Sequence, residues 1–261
     1  MRPVYFKMII LAGIISLACT TRVSEWVLLN SLPNQYTLIC FHNGTLNETL
    51  KKQNLNVADR IKTANIQFKT ISRPDIKEPY YGLYYEDQLF SRYNNPEEFR
   101  NLTTSPLREK IAAELKAGKL CVMVYLTTDN KEKDEKGLRT LQRAIGSSPF
   151  GKIITVVELS RNSKEEAQFT SLLLHVEDDL NGIREPMLFG VFGRFKALEP
   201  LVGTGISEEN INLMIGYLTA ECSCLIKDDL PGTDILFTNK WDNLLPALLN
   251  QIIDANLSPV K

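Results

Sequence analysis

Histidine and cysteine are both scarce in this 261-residue chain: His42 and His175, and Cys19, Cys40, Cys121, Cys222 and Cys224. Cys222-Ser223-Cys224 is the one spacing among them that suits a soft metal, and no other set supports ligation. No cysteines are spaced C-x-x-C, and there is no G-x-S-x-G, H-E-x-x-H, P-loop or G-x-G-x-x-G. Those absences leave no catalytic residue, no metal set and no cofactor to assign. There is no basic stripe and no interleaved aromatic platform, and 31 acidic residues stand against 30 basic ones, so nucleic acid is not the expected partner. Beyond the N-terminus no apolar run approaches the length of a membrane span, so membrane contact is expected only there. No low-complexity linker divides the chain, and its folding units are expected to pack together.

The N-terminus reads as a targeting segment, expected to be removed before folding. Arg2 and Lys7 precede the apolar run Met8–Ile15, then Ser16-Leu17-Ala18-Cys19, with small residues at a cut site. The step Ile15-Ser16-Leu17-Ala18-Cys19 resembles a bacterial lipobox, in which Cys19 becomes the lipidated first residue. Ordinary cleavage is the alternative, since Ser16-x-Ala18 also fits a signal-peptidase site. Asn43-Gly44-Thr45, Asn47-Glu48-Thr49 and Asn101-Leu102-Thr103 are formal glycosylation acceptors that suit a eukaryotic secreted reading. Removing residues 1–18 leaves 243 residues; with Arg2 and Lys7 gone from the 30 basic residues, 28 remain against 31 acidic, a formal charge of −3.

One phrase occurs twice. Glu78-Pro79-Tyr80-Tyr81-Gly82-Leu83 is echoed by Glu185-Pro186-Met187-Leu188-Phe189-Gly190. Proline is tolerated at the first residue of a strand, and an X-Pro bond in a tight turn is a candidate for cis geometry. Around these phrases strand-like and helix-like periods alternate. Residues 36–41, 66–71, 120–126 and 153–159 read as strands. Leu50, Val57, Ala58 and Ile61 mark one helix face, from which Leu55 departs. Ser105-Pro106 opens a helix carrying Leu107, Ile111 and Leu115, which stops at Gly118. Leu138, Leu141 and Ile145 mark a third helix, and Phe169, Leu172, Leu173 and Val176 a fourth. Ser207 caps a fifth with Ile211, Met214, Ile215 and Leu218 on its apolar face. Strands alternating with helices imply β-α-β crossovers. The expected fold is α/β, with two tandem units of central mixed sheet flanked by helices. The expected layout is a signal peptide (1–18), a tether (19–33), a degenerate unit (34–116), a second unit (119–225) and a strand-helix extension (226–261).

Gly182-Ile183-Arg184-Glu185-Pro186-Met187-Leu188-Phe189, then Val202-Gly203, then Ser207 with its helix, resembles the second half of thioredoxin. The resemblance implies that Pro186 is a cis proline, with Pro79 its counterpart in a more degenerate first copy. The Cys222-Ser223-Cys224 tail, with Pro231-Gly232, Asp234-Ile235-Leu236 and Trp241-Asp242, is similar to that of uncharacterised exported bacterial thioredoxin-like proteins. Redox thioredoxins place their dithiol directly after the first central strand, at a helix N-terminus that stabilises the thiolate. Here the corresponding residues are Leu126-Thr127-Thr128-Asp129 in the second unit and Phe41-His42-Asn43-Gly44-Thr45 in the first. Ordinary oxidoreductase activity is therefore expected to be absent.

Cys222 and Cys224 remain as redox candidates. They can form a strained disulfide, bind a soft metal, pair elsewhere, or serve only packing. Cys40 and Cys121 lie in apolar strands, where cysteine packs. Glu78 and Glu185 read either as part of a peptide-binding edge or as solvated turn residues. Trp241, Leu244, Leu245, Leu248, Leu249 and Ile252 suggest an apolar C-terminal helix. The expected role is a non-catalytic binding or scaffolding protein of the cell envelope. Its partner is a protein or peptide, and it sits in the periplasm or at the outer membrane, held by lipid on Cys19. Thiol-disulfide or soft-metal handling by Cys222 and Cys224 is the alternative.

Overall fold

The computed structural model describes residues 21–128, 130–221 and 230–238. Helix α1 (Val23–Asn30) precedes the first unit. There β1 (Tyr36–His42) leads through α2 (Glu48–Ile61) to β2 (Ile66–Ser72), then to the hairpin of β3 (Tyr80–Tyr85) and β4 (Gln88–Tyr93). Helix α3 (Pro106–Lys116) leads into the second unit, where β5 (Cys121–Thr127), α4 (Lys131–Ser147) and β6 (Ile154–Ser160) repeat the crossover. There follow α5 (Ala167–Leu173), β7 (Met187–Phe192), the short strands β8 (Lys196–Ala197) and β9 (Leu201–Val202), helix α6 (Glu208–Thr219) and β10 (Thr233–Asp234).

The two sheets repeat one topology. The first runs β2-β1-β3-β4, and the second runs β6-β5-β7-β8, with β10 added beyond β8 and β9 paired to β7. In each, the helix-linked pair is parallel and the next two strands are antiparallel. That order is the thioredoxin-like core, so this is an α/β chain of two tandem thioredoxin-like units. The register repeats as well. Tyr36 pairs with Ile66 and Cys121 with Ile154, first residue to first residue. Each proline delivers its following residue to the penultimate position of its central strand: Tyr80 opposite Phe41, and Met187 opposite Leu126.

The prolines are equivalent, but neither is cis. No peptide bond among the described residues is cis, so Pro79 and Pro186 both correct the geometry that the family phrase implies. The extended acid-proline step already suits strand entry. At Pro186 it carries the carbonyl to the Gly203 N–H at 2.8 Å, next to the Met187–Val202 pair of β7 and β9.

Two expected segments are also redrawn. Residues 19–33 are not merely a tether, because α1 docks on the second unit. Val23 and Val27 are buried beside Ile211, Met214 and Leu218 of α6, the Val23 N–H donates to the Ala220 carbonyl at 3.0 Å, and Arg194 Nε donates to Leu28 O at 2.8 Å. Helix α3 was expected to end the first unit; it packs instead on β5 and β6, with Ile111, Ala112 and Leu115 buried. The second sheet is thereby covered on both faces. One core lies over Val122, Val124 and Leu126 and continues into the first unit through Leu38 and Leu83; the other lies over Cys121, Met123 and Tyr125. Apolar area removed from water drives both, at about 25 cal/mol per Å².

The first unit has no helix between β2 and β3, where the chain passes through a turn. Its sheet is closed on one face by Leu50, Val57 and Ile61 of α2. On the other face Phe41 stacks on Tyr80 at 5.0 Å, and Arg92 lies 3.8 Å over the Tyr80 ring.

Candidate functional site

Open α/β sheets bind ligands outside the carboxyl ends of their parallel strands, where the chain turns into the next helix. In the second unit this end is built from three chain segments. Thr128 follows β5 and leads to Asn130 and Lys131 at the start of α4; Arg161 and Asn162 follow β6; and Arg184 precedes β7. Together they line a cleft of about 800 Å³. On the Glu185 side of the same turn lies a second hollow of about 560 Å³, lined by Lys133, Pro186, Val202 and Ile206 among others. Lys133 and Glu185 are ion-paired at 2.5 Å in the wall of that hollow.

Local hydrogen bonds fix the turn. Asn130 caps α4, its side-chain oxygen accepting from the Lys133 N–H at 3.1 Å. The buried Asp134 carboxylate accepts from the Thr128 N–H at 2.9 and 3.0 Å and from the Thr128 hydroxyl at 3.1 Å. The same hydroxyl accepts from the Asn130 N–H at 2.9 Å. Behind it, the Tyr125 hydroxyl donates to the Asp134 carbonyl at 3.0 Å. The charged run that begins at Asp129 thus forms the first turns of α4, while Asp129 itself lies outside the described residues. A carboxylate-closed turn occupies the place where redox thioredoxins hold their dithiol.

The arginines give the cleft its character. Arg161 Nη2 donates weakly to the Glu185 carbonyl at 3.4 Å and lies 3.8 Å from Met187 Sδ. Its Nε and Nη1 are shielded from water and meet no acceptor. Burial, and after it the like charge of Arg184, pull Arg161 below the usual arginine value. Neither arginine was singled out as a binding residue from sequence. The available signal was positional: the residue after the second parallel strand lies beside the residue after the first.

The equivalent end of the first unit carries different groups. His42 is buried at the end of β1 and its Nδ1 has no partner. Nearby, Asn54 accepts from the Tyr81 hydroxyl at 2.8 Å, and its own Nδ2 is unpartnered. Burial pushes the Cys40 thiol up, against hydrogen bonds from Asn54 and Tyr81 that lower it. Cys121, wholly buried, is pushed up to about 12 by the same cause. Neither thiol supplies a thiolate near neutral pH. Glu185 is held by Lys133, whereas Glu78 and Pro79 are exposed. His175 is exposed just after α5, its Nδ1 2.7 Å from the Ser171 carbonyl.

Cys19, Cys222, Cys224 and the apolar stretch from Trp241 to Ile252 lie outside the described residues. Among the described residues no group of three His, Cys, Asp or Glu could hold a metal ion, and no helix is long and apolar enough to cross a membrane.

No protein-family model and no curated protein matches this chain. Among solved structures it is similar to the first two thioredoxin domains of Naumovozyma dairenensis Eps1p, at 13% identity over 78% of this chain and 97% of that one, with a TM-score of 0.26. It is also similar to human ERp44 in its zinc-bound form, at 13% identity over 80% of this chain and 55% of that one, with a TM-score of 0.25. At these scores the thioredoxin-like fold rests on strand order and register, not on either likeness.

Proposed function

We propose that this chain is a non-catalytic thioredoxin-like binding or scaffolding protein, exported to the cell envelope and anchored by lipid on Cys19. It takes a protein or peptide partner at the strand-end face of its second unit. One observation carries the reading: the turn after β5 is closed by Asp134 on Thr128 and walled by Arg161, Arg184 and Lys131, with no sulfur among the described lining residues. A thiolate needs a helix N-terminus or a nearby cation, and the described cysteines have neither access nor ionisation. Export is supported by the N-terminal charge, apolar run and small-residue step.

Insulin reduction with dithiothreitol, followed by turbidity, tests the reading. The purified mature protein is expected to leave the rate at its uncatalysed value. In the sequence Cys222 comes after α6, which ends at Thr219; a helix C-terminus carries negative partial charge, and that order in the chain is the ground for expecting no thiolate there. Thioredoxin-like rates abolished by Cys222→Ser/Cys224→Ser would overturn the binding reading and make the C-x-C pair the active site.

A further inference from the structure

Among its described lining residues, the cleft after β5 and β6 holds three cations, Lys131, Arg161 and Arg184, and no carboxylate. Asp134 is taken up by Thr128, Glu185 by Lys133, and the Asn130 side-chain oxygen by the Lys133 N–H. What faces the space is the Arg161 guanidinium, the exposed Arg184 side chain and Lys131, whose contact with Glu135 is long at 3.7 Å. Like charges placed together are unfavourable unless something supplies opposite charge. A guanidinium with two shielded, unpartnered nitrogens, three N–H groups in all, is a costly arrangement of the same kind. Because Asn130 already caps the helix, side chains rather than the helix end make this site.

From this the geometry points to a phosphate monoester as ligand. Its phosphoryl group sits against Arg161 and Arg184, and its organic part lies toward Pro186 and Ile206. A multiply charged oxyanion answers several cations better than one carboxylate does, and guanidinium forks match phosphoryl oxygens in pairs. The space is far larger than a free phosphate ion, and the second hollow adds apolar wall from Val202 and Ile206. This deepens the binding reading above by naming the ligand class for the same face.

The test is calorimetric titration of the mature protein with inorganic phosphate and with phenyl phosphate, at low and at physiological salt. Phenyl phosphate is expected to bind several-fold more tightly than phosphate, and both more weakly at higher salt. Arg184→Gln, at an exposed position, is expected to weaken both by about tenfold or more, as the loss of a charge-assisted hydrogen bond does. Arg161→Gln is expected to do the same, with circular dichroism confirming its fold. Two results overturn the proposal: no binding of either probe at millimolar concentration, or unchanged affinity in both variants. Equal affinity for the two probes overturns the ester and leaves only free phosphate. Failure here leaves the insulin result untouched, whereas cysteine-dependent insulin reduction sinks the non-catalytic reading whatever phenyl phosphate does.

Discussion

Arg108 is fully buried, on a helix whose apolar spacing would have left that position unremarkable. All five of its N–H groups are used. Nε donates to Ser105 Oγ at 3.1 Å, and Nη1 to the carbonyls of Leu102 at 2.7 Å and Leu236 at 3.0 Å. Nη2 donates to the carbonyls of Asn101 and Thr104. Beside it the buried Glu166 carboxylate accepts from the Ser105 hydroxyl at 2.5 Å and the Leu107 N–H at 2.8 Å. Burial pulls Arg108 down to about 9, with Glu166 acting in the opposite sense. Arg108→Met strands this set of carbonyls without a donor and is expected to cost about 3–5 kcal/mol. Arg108→Lys should rescue little, since an ammonium has three donors and no fork. Urea unfolding checks both, and a loss below about 1 kcal/mol, within the range of a single ordinary hydrogen bond, would contradict this account. The thiols make a second residue-scale prediction. Cys121 rises from the ordinary 9.0 to about 12, so the folded chain holds its proton more tightly. That contribution to stability is full below pH 9 and is lost as the pH climbs through about 12. At pH 8, dithionitrobenzoate should label Cys40 and Cys121 only after unfolding; rapid native labelling at either position would show that the site opens.

Among elements, the strands were the most legible. The parallel strands β1, β2, β5 and β6 appear within a residue or so of their expected bounds, because each is a compact apolar or alternating run between turn residues. Helix α6 follows its capping signal closely, with Ser207 accepting from the Asn210 N–H at 3.2 Å and Ile211, Met214, Ile215 and Leu218 buried. In α2 the stripe holds, yet Leu55 is 71% exposed while Asn54 is inside, bonded to the Tyr81 hydroxyl. Strand β4 escaped notice because an edge strand with Leu89 55% exposed shows no clean alternation. Helix α1 escaped because Val-Ser-Glu-Trp-Val-Leu-Leu-Asn has little polar-face periodicity; its place is set by distant Arg194 and Gly193. The missing dithiol was readable after β5, but the basic cleft was not, since it gathers three separated segments. Gly193 has φ of +58°, and a Cβ there would lie 2.4 Å from Val27 Cγ1. Gly193→Ala is therefore expected to cost about 1–3 kcal/mol by overpacking. Hydrogen exchange in residues 23–30 should accelerate with it, and unchanged protection would mean that α1 is not seated on this glycine.

At the scale of the molecule, the units are joined by more than a linker. The segment from β10 to Thr238 leaves the second sheet and crosses into the first unit. Lys196 pairs with the buried Asp234 at 3.1 Å, and the Asp234 carbonyl accepts from the Tyr36 hydroxyl at 2.9 Å. Asn65 accepts from the Phe237 N–H at 2.9 Å, Arg108 donates to Leu236, and Phe237 stacks on Phe195 at 4.2 Å. Away from this strap, Phe90 meets His175 at 4.2 Å, and the Tyr93 hydroxyl donates to Gln168 at 3.0 Å. One apolar core spans both sheets. For the proposed anchor, the full chain should partition into detergent, and Cys19→Ala should release it or leave it unprocessed; a soluble mature protein beginning at an unmodified Cys19 contradicts the lipid. The shared core makes a separate prediction about unfolding. Tandem units joined only by a linker melt independently, whereas units with a common core lose it together. Urea unfolding of the mature protein should therefore give one transition, with far-ultraviolet circular dichroism and aromatic fluorescence coincident. Asp234→Ala breaks a buried ion pair at the crossing and frees the Asn34 N–H that the same carboxylate accepts at 3.1 Å. It should cost about 3–5 kcal/mol of stability, seen as a lower urea midpoint. Two resolved transitions in the unsubstituted protein, or an Asp234→Ala variant with an unchanged midpoint, would show that the strap lies against the seam without holding it.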